Sequence, residues 1–301
     1  MALSKERLEQ RLDYVCGSDA AVILGISPWA NIIDLWLEKT RLKETKEQES
    51  KSLTAGVLLE DAVANWFEIA TGIKNYKDDS FITNNEYGFM AANIDRRIEG
   101  ENAILECKTS QFADGWGEEG VFQIPDYYLC QVAHYAVVTN VERVYVAVLI
   151  RGIDFRWYTY ERNEKFEKFL ISKETEFWHH VLNQEPPPAT NHAEIISLYQ
   201  DKCNNTPKTS ITRIDEAIYE LKELNKVEKE LSAKQKILQD EIKAYMQDHD
   251  ALVDLSGKVA ITWKASAPSK RFDASLFKNQ EPALYDQYTK ECTGIRRFLL
   301  K

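Results

Sequence analysis

The chain has 301 residues, 44% of them apolar, with seven Trp and fourteen Tyr, which is ample for a real core. Its formal net charge is −10, so a broad grip on nucleic acid through Lys and Arg is excluded and any phosphate contact has to be local. There is no run of eighteen apolar residues, no apolar stretch at the start of the kind a signal peptide carries, and no C-x-x-C spacing among Cys16, Cys107, Cys130, Cys203 and Cys292; a cytoplasmic protein with buried free thiols is expected, without structural zinc, iron–sulfur cluster or disulfide framework.

Up to about residue 182 helical and strand-like segments alternate. Ser18 and Asp19 cap a helix running to Leu24, with Gly25 as its stop, and a second helix covers residues 31–41. A third, over residues 56–71, places Leu59, Val63, Trp66, Phe67 and Ala70 on one face and ends at Gly72. Two strands follow, over residues 89–94 and 103–105, turned at Gly100-Glu101-Asn102. Residues 111–123 read as a loop over a cleft, in which Trp116 is more simply buried than stacked on a base. A helix over residues 125–138 presents Tyr128, Gln131, Tyr135 and Val138, with His134 read as an ordinary core or surface residue. A hairpin over residues 143–150 and 155–160 and a helix over residues 164–182 complete an α/β (α+β) pattern.

Pro186-Pro187-Pro188 cannot continue a helix, so residues 1–185 form one expected domain, 186–210 a linker and 211–301 a second domain. The second domain opens on a charged helix reaching about residue 249, with Ile214, Leu221 and Ile242 on one heptad position and Ala217, Leu224, Leu231, Leu238 and Tyr245 on the other. Glu228 and Gln235 interrupt the first seam, which favours an antiparallel helix pair or a helix lying on its own domain over a parallel dimer. A small hairpin over residues 251–255 and 258–264, turned at Ser256-Gly257, and a last strand over residues 296–300 follow. Residues 1–206 carry 21 basic and 33 acidic side chains, a net of −12, against 17 and 15, a net of +2, in residues 207–301. Lys258, Lys264, Lys270 and Arg271 with Trp263 and Phe272 make either a weakly basic DNA or partner surface or a solvated hairpin with its aromatics turned inward.

The chemistry concentrates at Asp95 and, eleven positions on, Glu106-Cys107-Lys108. In a strand Glu106 and Lys108 share one face and Cys107 points to the other, and a hairpin brings Asp95 to them. Two carboxylates about 4 Å apart repel by roughly 4 kcal/mol at an effective dielectric near 20, so such a pair holds a proton or a cation. Hard oxygen donors favour Mg²⁺ or Mn²⁺, which polarises a phosphate and acidifies water, while Lys108 offsets charge developing on phosphorus oxygens. The alternative is a surface hairpin with an ordinary Glu/Lys pair.

Ordered blocks around these residues separate the two readings. They are Arg11 with G-S-D-A-A-V-I-L-G-I-S-P-W over residues 17–29, Gly56 with Glu60, A-N-I-D over 92–95, L-E-C-K-T over 105–109 and Y-L-C-Q over 128–131. Together they resemble the YqaJ-like viral recombinases and lambda exonuclease, within the PD-(D/E)XK nuclease superfamily, over about residues 8–180.

The resemblance implies a restriction-endonuclease-like core, a central mixed sheet flanked by helices. It implies that Asp95, Glu106, the main-chain carbonyl of Cys107 and Glu60 hold Mg²⁺ or Mn²⁺, that Lys108 is the catalytic lysine, and that Gln131 faces the site. Arg11 and Ser18 match positions that hold a terminal 5′-phosphate; Ser18 as a plain helix cap, and Glu60 as a first-turn acid favoured by the helix dipole, are the competing assignments. Many relatives have Pro before or Gly after the catalytic aspartate, whereas here Ile94 precedes it and Arg96-Arg97 follow.

By this resemblance the expected activity is a 5′→3′ exonuclease on double-stranded DNA ends, leaving 3′ overhangs for recombination by single-strand annealing. A homo-oligomer, trimeric by analogy, an annealing partner protein and a phage or prophage origin in a bacterial cytoplasm are implied with it. The competing functions are a structure-specific or restriction-like endonuclease with the same core and a catalytically silent DNA-end-binding protein.

Overall fold

The computed structural model describes residues 5–43, 50–118, 121–200, 206–290 and 296–301. In chain order the first elements are α1 (Lys5–Arg11), β1 (Val15–Cys16), α2 (Gly17–Ile23), α3 (Ile32–Lys39) and α4 (Lys51–Thr71). Next come β2 (Asn75–Lys77), β3 (Ile82–Thr83), β4 (Met90–Ala92), β5 (Arg96–Ile98) and β6 (Ala103–Ser110). They are followed by α5 (Asp126–Thr139), β7 (Arg143–Ile150), β8 (Asp154–Glu161), α6 (Glu164–Leu182) and α7 (His192–Tyr199). Local chemistry sets several ends. Asn31 accepts from the amides of Ile33 and Asp34 at the start of α3, Ser50 caps α4 through Leu53 N–H, and Gly72 ends α4 at φ 74°.

The main sheet has strand order β2-β5-β6-β7-β8, with β6 and β7 parallel and the remaining pairs antiparallel. Helix α5 makes the crossover between the two parallel strands, as parallel pairing requires. β7 is apolar on both faces because both are covered. Val144, Val146 and Val148 pack in a core with Val132, Ala133 and Ala136 of α5 and Leu170 of α6. Tyr145, Ala147 and Leu149 pack on the other side with Val63, Ala64 and Phe67 of α4. This is the expected α+β arrangement, a central mixed sheet flanked by helices. A third core joins α3, α6 and α7 through Ile33, Trp36, Phe177 and Leu198.

The expected acidic hairpin forms from different residues. Its strands are β5 and β6, turned through Gly100 at φ 80°, and residues 89–94 are not part of it. β4, inside that segment, belongs to a separate three-stranded sheet, parallel to β1 and antiparallel to β3. The apolar run fits that role because Met90, Ala91 and Ala92 are fully buried. Asp95 therefore lies where the chain passes from the small sheet to the large one.

The chain divides into two compact units, Met1–Gln200 and Asp201–Lys301. The segment expected as a linker carries α7, whose Leu198 is buried in the third core. The second unit contains α8 (Thr212–Met246), β9 (Ala251–Val253), β10 (Val259–Thr262), α9 (Ala274–Gln280) and α10 (Pro282–Tyr288). β9 and β10 pair antiparallel as expected, with Gly257 at φ 81° in their turn. Residues 296–300 are not a strand; among the described residues no third strand joins this ladder. Trp263 and Phe272 are exposed rather than packed inward, as are Lys258, Lys264, Lys270 and Arg271. No described helix is long and apolar enough to cross a membrane. Cys16 and Cys130 are buried and Cys107 half-buried, all as free thiols; Cys203 and Cys292 lie outside the described residues.

Candidate active site

β6 is paired on both sides at Ile104 and Leu105, but from Glu106 onward β7 is its sole partner. The opened edge is where Asp95 enters: its Oδ2 accepts the Cys107 N–H at 2.8 Å. A residue in an extended strand presents N–H and C=O to the same side, so the Cys107 carbonyl opens on the Asp95 side as well.

Glu106 and Lys108 share the opposite strand face from Cys107 and meet directly, Lys108 Nζ lying 2.6 Å from Glu106 Oε1. Helix α5 supplies the third member of this group. Gln131 Oε1 accepts from Lys108 Nζ at 3.0 Å, and Gln131 Nε2 donates to Glu106 Oε1 at 2.9 Å and to the Tyr135 hydroxyl at 2.9 Å. The ring of Tyr128 lies under the ammonium, 4.6 Å from Nζ to the centroid. Tyr128 in turn rests against Trp116, which is buried and near-parallel to Tyr158.

The electrostatics follow from burial of two like charges. Burial raises the Asp95 carboxyl well above the ordinary carboxylate range, and the charge of Glu106 pushes it further. Burial opposes charge on Lys108, yet Glu106, Tyr128 and Asp95 together outweigh it and hold the ammonium at about 12. A buried acid pair facing one ammonium has room for a further cation, and its donors are all hard oxygens.

Glu60 reaches this region from α4 and adds to the upward push on Asp95, but its Oε1 is held by Arg96 Nη1 at 2.6 Å. The same guanidinium, 4% exposed at its side chain, also donates to Asp61 and to the Asp95 carbonyl at 2.7 Å. Among the described residues no three His, Cys, Asp or Glu side chains are gathered as a ready metal cluster. The two carboxylates, with the Cys107 carbonyl alongside, nevertheless fit a hard divalent ion by donor type and by uncompensated charge.

Arg11 and Ser18 form a second group. Arg11 Nη2 donates to Ser18 Oγ at 2.6 Å on a solvent-facing surface. Ser18 is not the cap of α2: Cys16 is, and its N–H donates to Asp19 Oδ2 at 2.9 Å. Asp19, at the third position of the helix, accepts from the amide of that cap and is in turn buried against Lys39 Nζ at 2.6 Å, while Ser18 is exposed. Gly17 has no room for a side chain, because an added Cβ would stand 2.4 Å from the Tyr135 ring. His134 belongs to the core, as expected, with Nδ1 at 2.9 Å from Glu174 Oε1.

Of the residues expected at the site, the structure thus brings Asp95, Glu106, Lys108 and Gln131 together. It sets Glu60 nearby in the grip of Arg96 and pairs Arg11 with Ser18. The sequence marks Arg96 as following Asp95, and Tyr128 and Tyr135 as sharing a helix face with Gln131; it does not show the grip of Arg96 on Glu60 and Asp61 or the contact of the Tyr135 hydroxyl with Gln131.

These features define an α+β protein with a buried Asp/Glu/Lys group at an opened strand edge. Residues 6–142 match the YqaJ-like viral recombinase domain. The chain is 35% identical to YqaJ of Bacillus subtilis (strain 168) over 305 aligned positions, covering 98% of this chain and 93% of that one. It belongs to the YqaJ-like viral recombinase family. Among solved structures it is similar to an alkaline exonuclease from Laribacter hongkongensis, with 14% identity, a TM-score of 0.47 and coverage of 60% of this chain and 94% of that one. A phage related exonuclease from Haemophilus somnus 129PT is 13% identical, with a TM-score of 0.42 over 57% of this chain and 96% of that one.

Proposed function

We propose that the protein is a metal-dependent DNA exonuclease that hydrolyses phosphodiesters 5′→3′ from double-stranded ends and leaves 3′ overhangs. The observation that carries this reading is Asp95, held on the Cys107 amide, beside the mutually bonded group of Glu106, Lys108 and Gln131 at the open edge of β6. Family membership supplies the context of recombination, in which an overhang serves a single-strand annealing protein. A homo-oligomer belongs to the same reading.

Asp95, Glu106 and the carbonyl of Cys107 would hold Mg²⁺ or Mn²⁺, with Glu60 as a further acid. Such an ion supplies Lewis acidity at the phosphate and lowers the pKa of water. Lys108, at about 12, keeps its proton across neutral pH, so it serves as a fixed positive charge and donor rather than a base. Its place is opposite charge developing on the phosphoryl oxygens. Gln131 fixes that ammonium from one side while Glu106 fixes it from the other. Arg11 and Ser18 suit a terminal 5′-phosphate, the guanidinium offering a bidentate fork and the hydroxyl a second donor.

The test is digestion of a linear duplex labelled at one end, with and without a 5′-phosphate, in Mg²⁺ and in EDTA. The reading expects acid-soluble nucleotides from 5′-phosphorylated ends in Mg²⁺ alone, and slower release after Arg11→Ala. Cutting of closed circular DNA by the wild type would assign an endonuclease instead. Binding of ends without release in any divalent ion would assign a silent end-binding protein.

A further inference from the structure

Between the acid pair and the Arg11/Ser18 group stands Tyr135, a buried residue that no part of the proposed chemistry uses. Its ring fills the space that a side chain at position 17 would take, directly before Ser18. At the other end of the side chain, its hydroxyl oxygen accepts from Gln131 Nε2 at 2.9 Å. That amide cannot be turned over, because Gln131 Oε1 must accept from the Lys108 ammonium, which has no lone pair to offer in return. The hydroxyl is therefore the acceptor in this contact, and its own proton is left over. Among the described residues that proton has no recorded acceptor. Tyr135 is 7% exposed, so a stray water-facing role does not account for a hydroxyl at this place. Leaving the donor of a hydroxyl unused away from water is unfavourable.

Tyr135 thus touches both groups, its ring lying against Gly17 and its hydroxyl against Gln131. Asp95 and Glu106 on one side repel a phosphate, and a neutral donor can meet one of its oxygens there without deepening that repulsion. We propose that Tyr135 donates its O–H to a phosphate oxygen of the 5′-terminal nucleotide, lying between Arg11 and the Asp95/Glu106 pair. This assignment rests on the exonuclease reading for its direction along the strand.

The test is Tyr135→Phe, which keeps the ring against Gly17 and removes the donor alone. Binding of short duplexes with 5′-phosphate or 5′-hydroxyl ends is followed by fluorescence anisotropy in Ca²⁺, so that turnover is not needed. The variant is expected to bind about tenfold more weakly, the cost of one hydrogen bond to a charged acceptor, with an unchanged melting temperature. A loss confined to the phosphorylated end is the expected result; an equal loss on both ends overturns the assignment, because a 5′-hydroxyl end has no terminal phosphate to bind. Affinity within twofold of wild type on both ends overturns the proposal. So does disappearance of the Tyr135→Phe effect in a Gln131→Ala background, since the hydroxyl would then act only by orienting that amide. A wild type that binds ends but releases no nucleotides defeats the exonuclease reading while the Tyr135 comparison still stands.

Discussion

Arg96 Nη1 lies 2.6 Å from Glu60 Oε1, so the residue that follows Asp95 holds the acid carried by α4. Breaking a buried ion pair by removing one partner strands the other charge. Arg96→Gln should lower the unfolding free energy by about 2–3 kcal/mol, below the usual cost because the second partner, Asp61, is largely exposed. Urea unfolding measures it. Arg96→Lys, which keeps the charge and loses the fork, should fall between. A glutamine variant as stable as wild type would show that Glu60 needs no partner.

Asp95→Asn offers the opposite sign. The neutral side chain can still accept the Cys107 N–H through its carbonyl oxygen, while repulsion with Glu106 disappears. In EDTA this variant should be more stable than wild type, by about 0.5–2 kcal/mol, the usual gain when a functional site is relieved of strain. Added Mg²⁺ should raise the melting temperature of the wild type and leave that of the variant unmoved. A variant less stable than wild type in EDTA would contradict the electrostatic account of the acid pair.

Lys108→Met should cost about 10²–10³ in turnover, the loss typical of one charge-stabilising donor. Since Lys108 stays protonated to about 12, nuclease rates of the wild type between pH 7 and 9 should show no inflection from this group. Single-turnover cleavage of an end-labelled duplex measures both. A lysine that titrates within that window would be a base, and the assignment made here would fail.

His134 gives a pH dependence of stability whose sign is fixed. Nδ1 faces the Glu174 carboxylate and Nε2 the Ala91 carbonyl, two acceptors, so both nitrogens must carry protons. Burial pulls the imidazolium pKa down, but Glu174, the Ala91 carbonyl and Asp19 together outweigh it and the net shift is upward from about 6.5. The folded state thus holds more protons than the unfolded chain above that value. This part of the stability is complete below about pH 6.5 and is lost as pH rises through the folded-state pKa. Urea midpoints taken from pH 6 to 9 should fall, and His134→Gln should flatten the slope. A wild type that grows more stable over this range would refute the doubly protonated assignment.

Much of the site was legible because it depends on short-range geometry. Alternation along β6 alone puts Glu106 and Lys108 on one face, and the helical spacing from Gln131 to Tyr135 puts those two on one face of α5. Asp95 was correctly associated with them, though the hairpin was drawn from the wrong residues. An apolar run such as 89–94 reads as a strand whichever sheet it joins, and the choice of sheet depends on β1, far away in sequence. The cap of α2 was misplaced for a related reason: Ser18 and Asp19 both have capping side chains, and the long-range ion pair with Lys39 decides which is turned inward. The partners of Arg96 are not legible in the sequence because they lie 35 and 36 positions earlier. The final segment, 296–300, carries a strand-like composition with no neighbouring strand to pair with among the described residues.

The described thiols have a practical corollary. Burial pushes up Cys16, raises Cys107 well above the ordinary range and lifts Cys130 to about 12, so at neutral pH almost none of them is the reactive anion. With Cys203 and Cys292 replaced by serine, alkylation by iodoacetamide becomes a clock for transient opening of the molecule. Cys107 reports on the open edge of β6, Cys16 on the entry to α2 and Cys130 on the crossover helix, giving three local readings of one native ensemble.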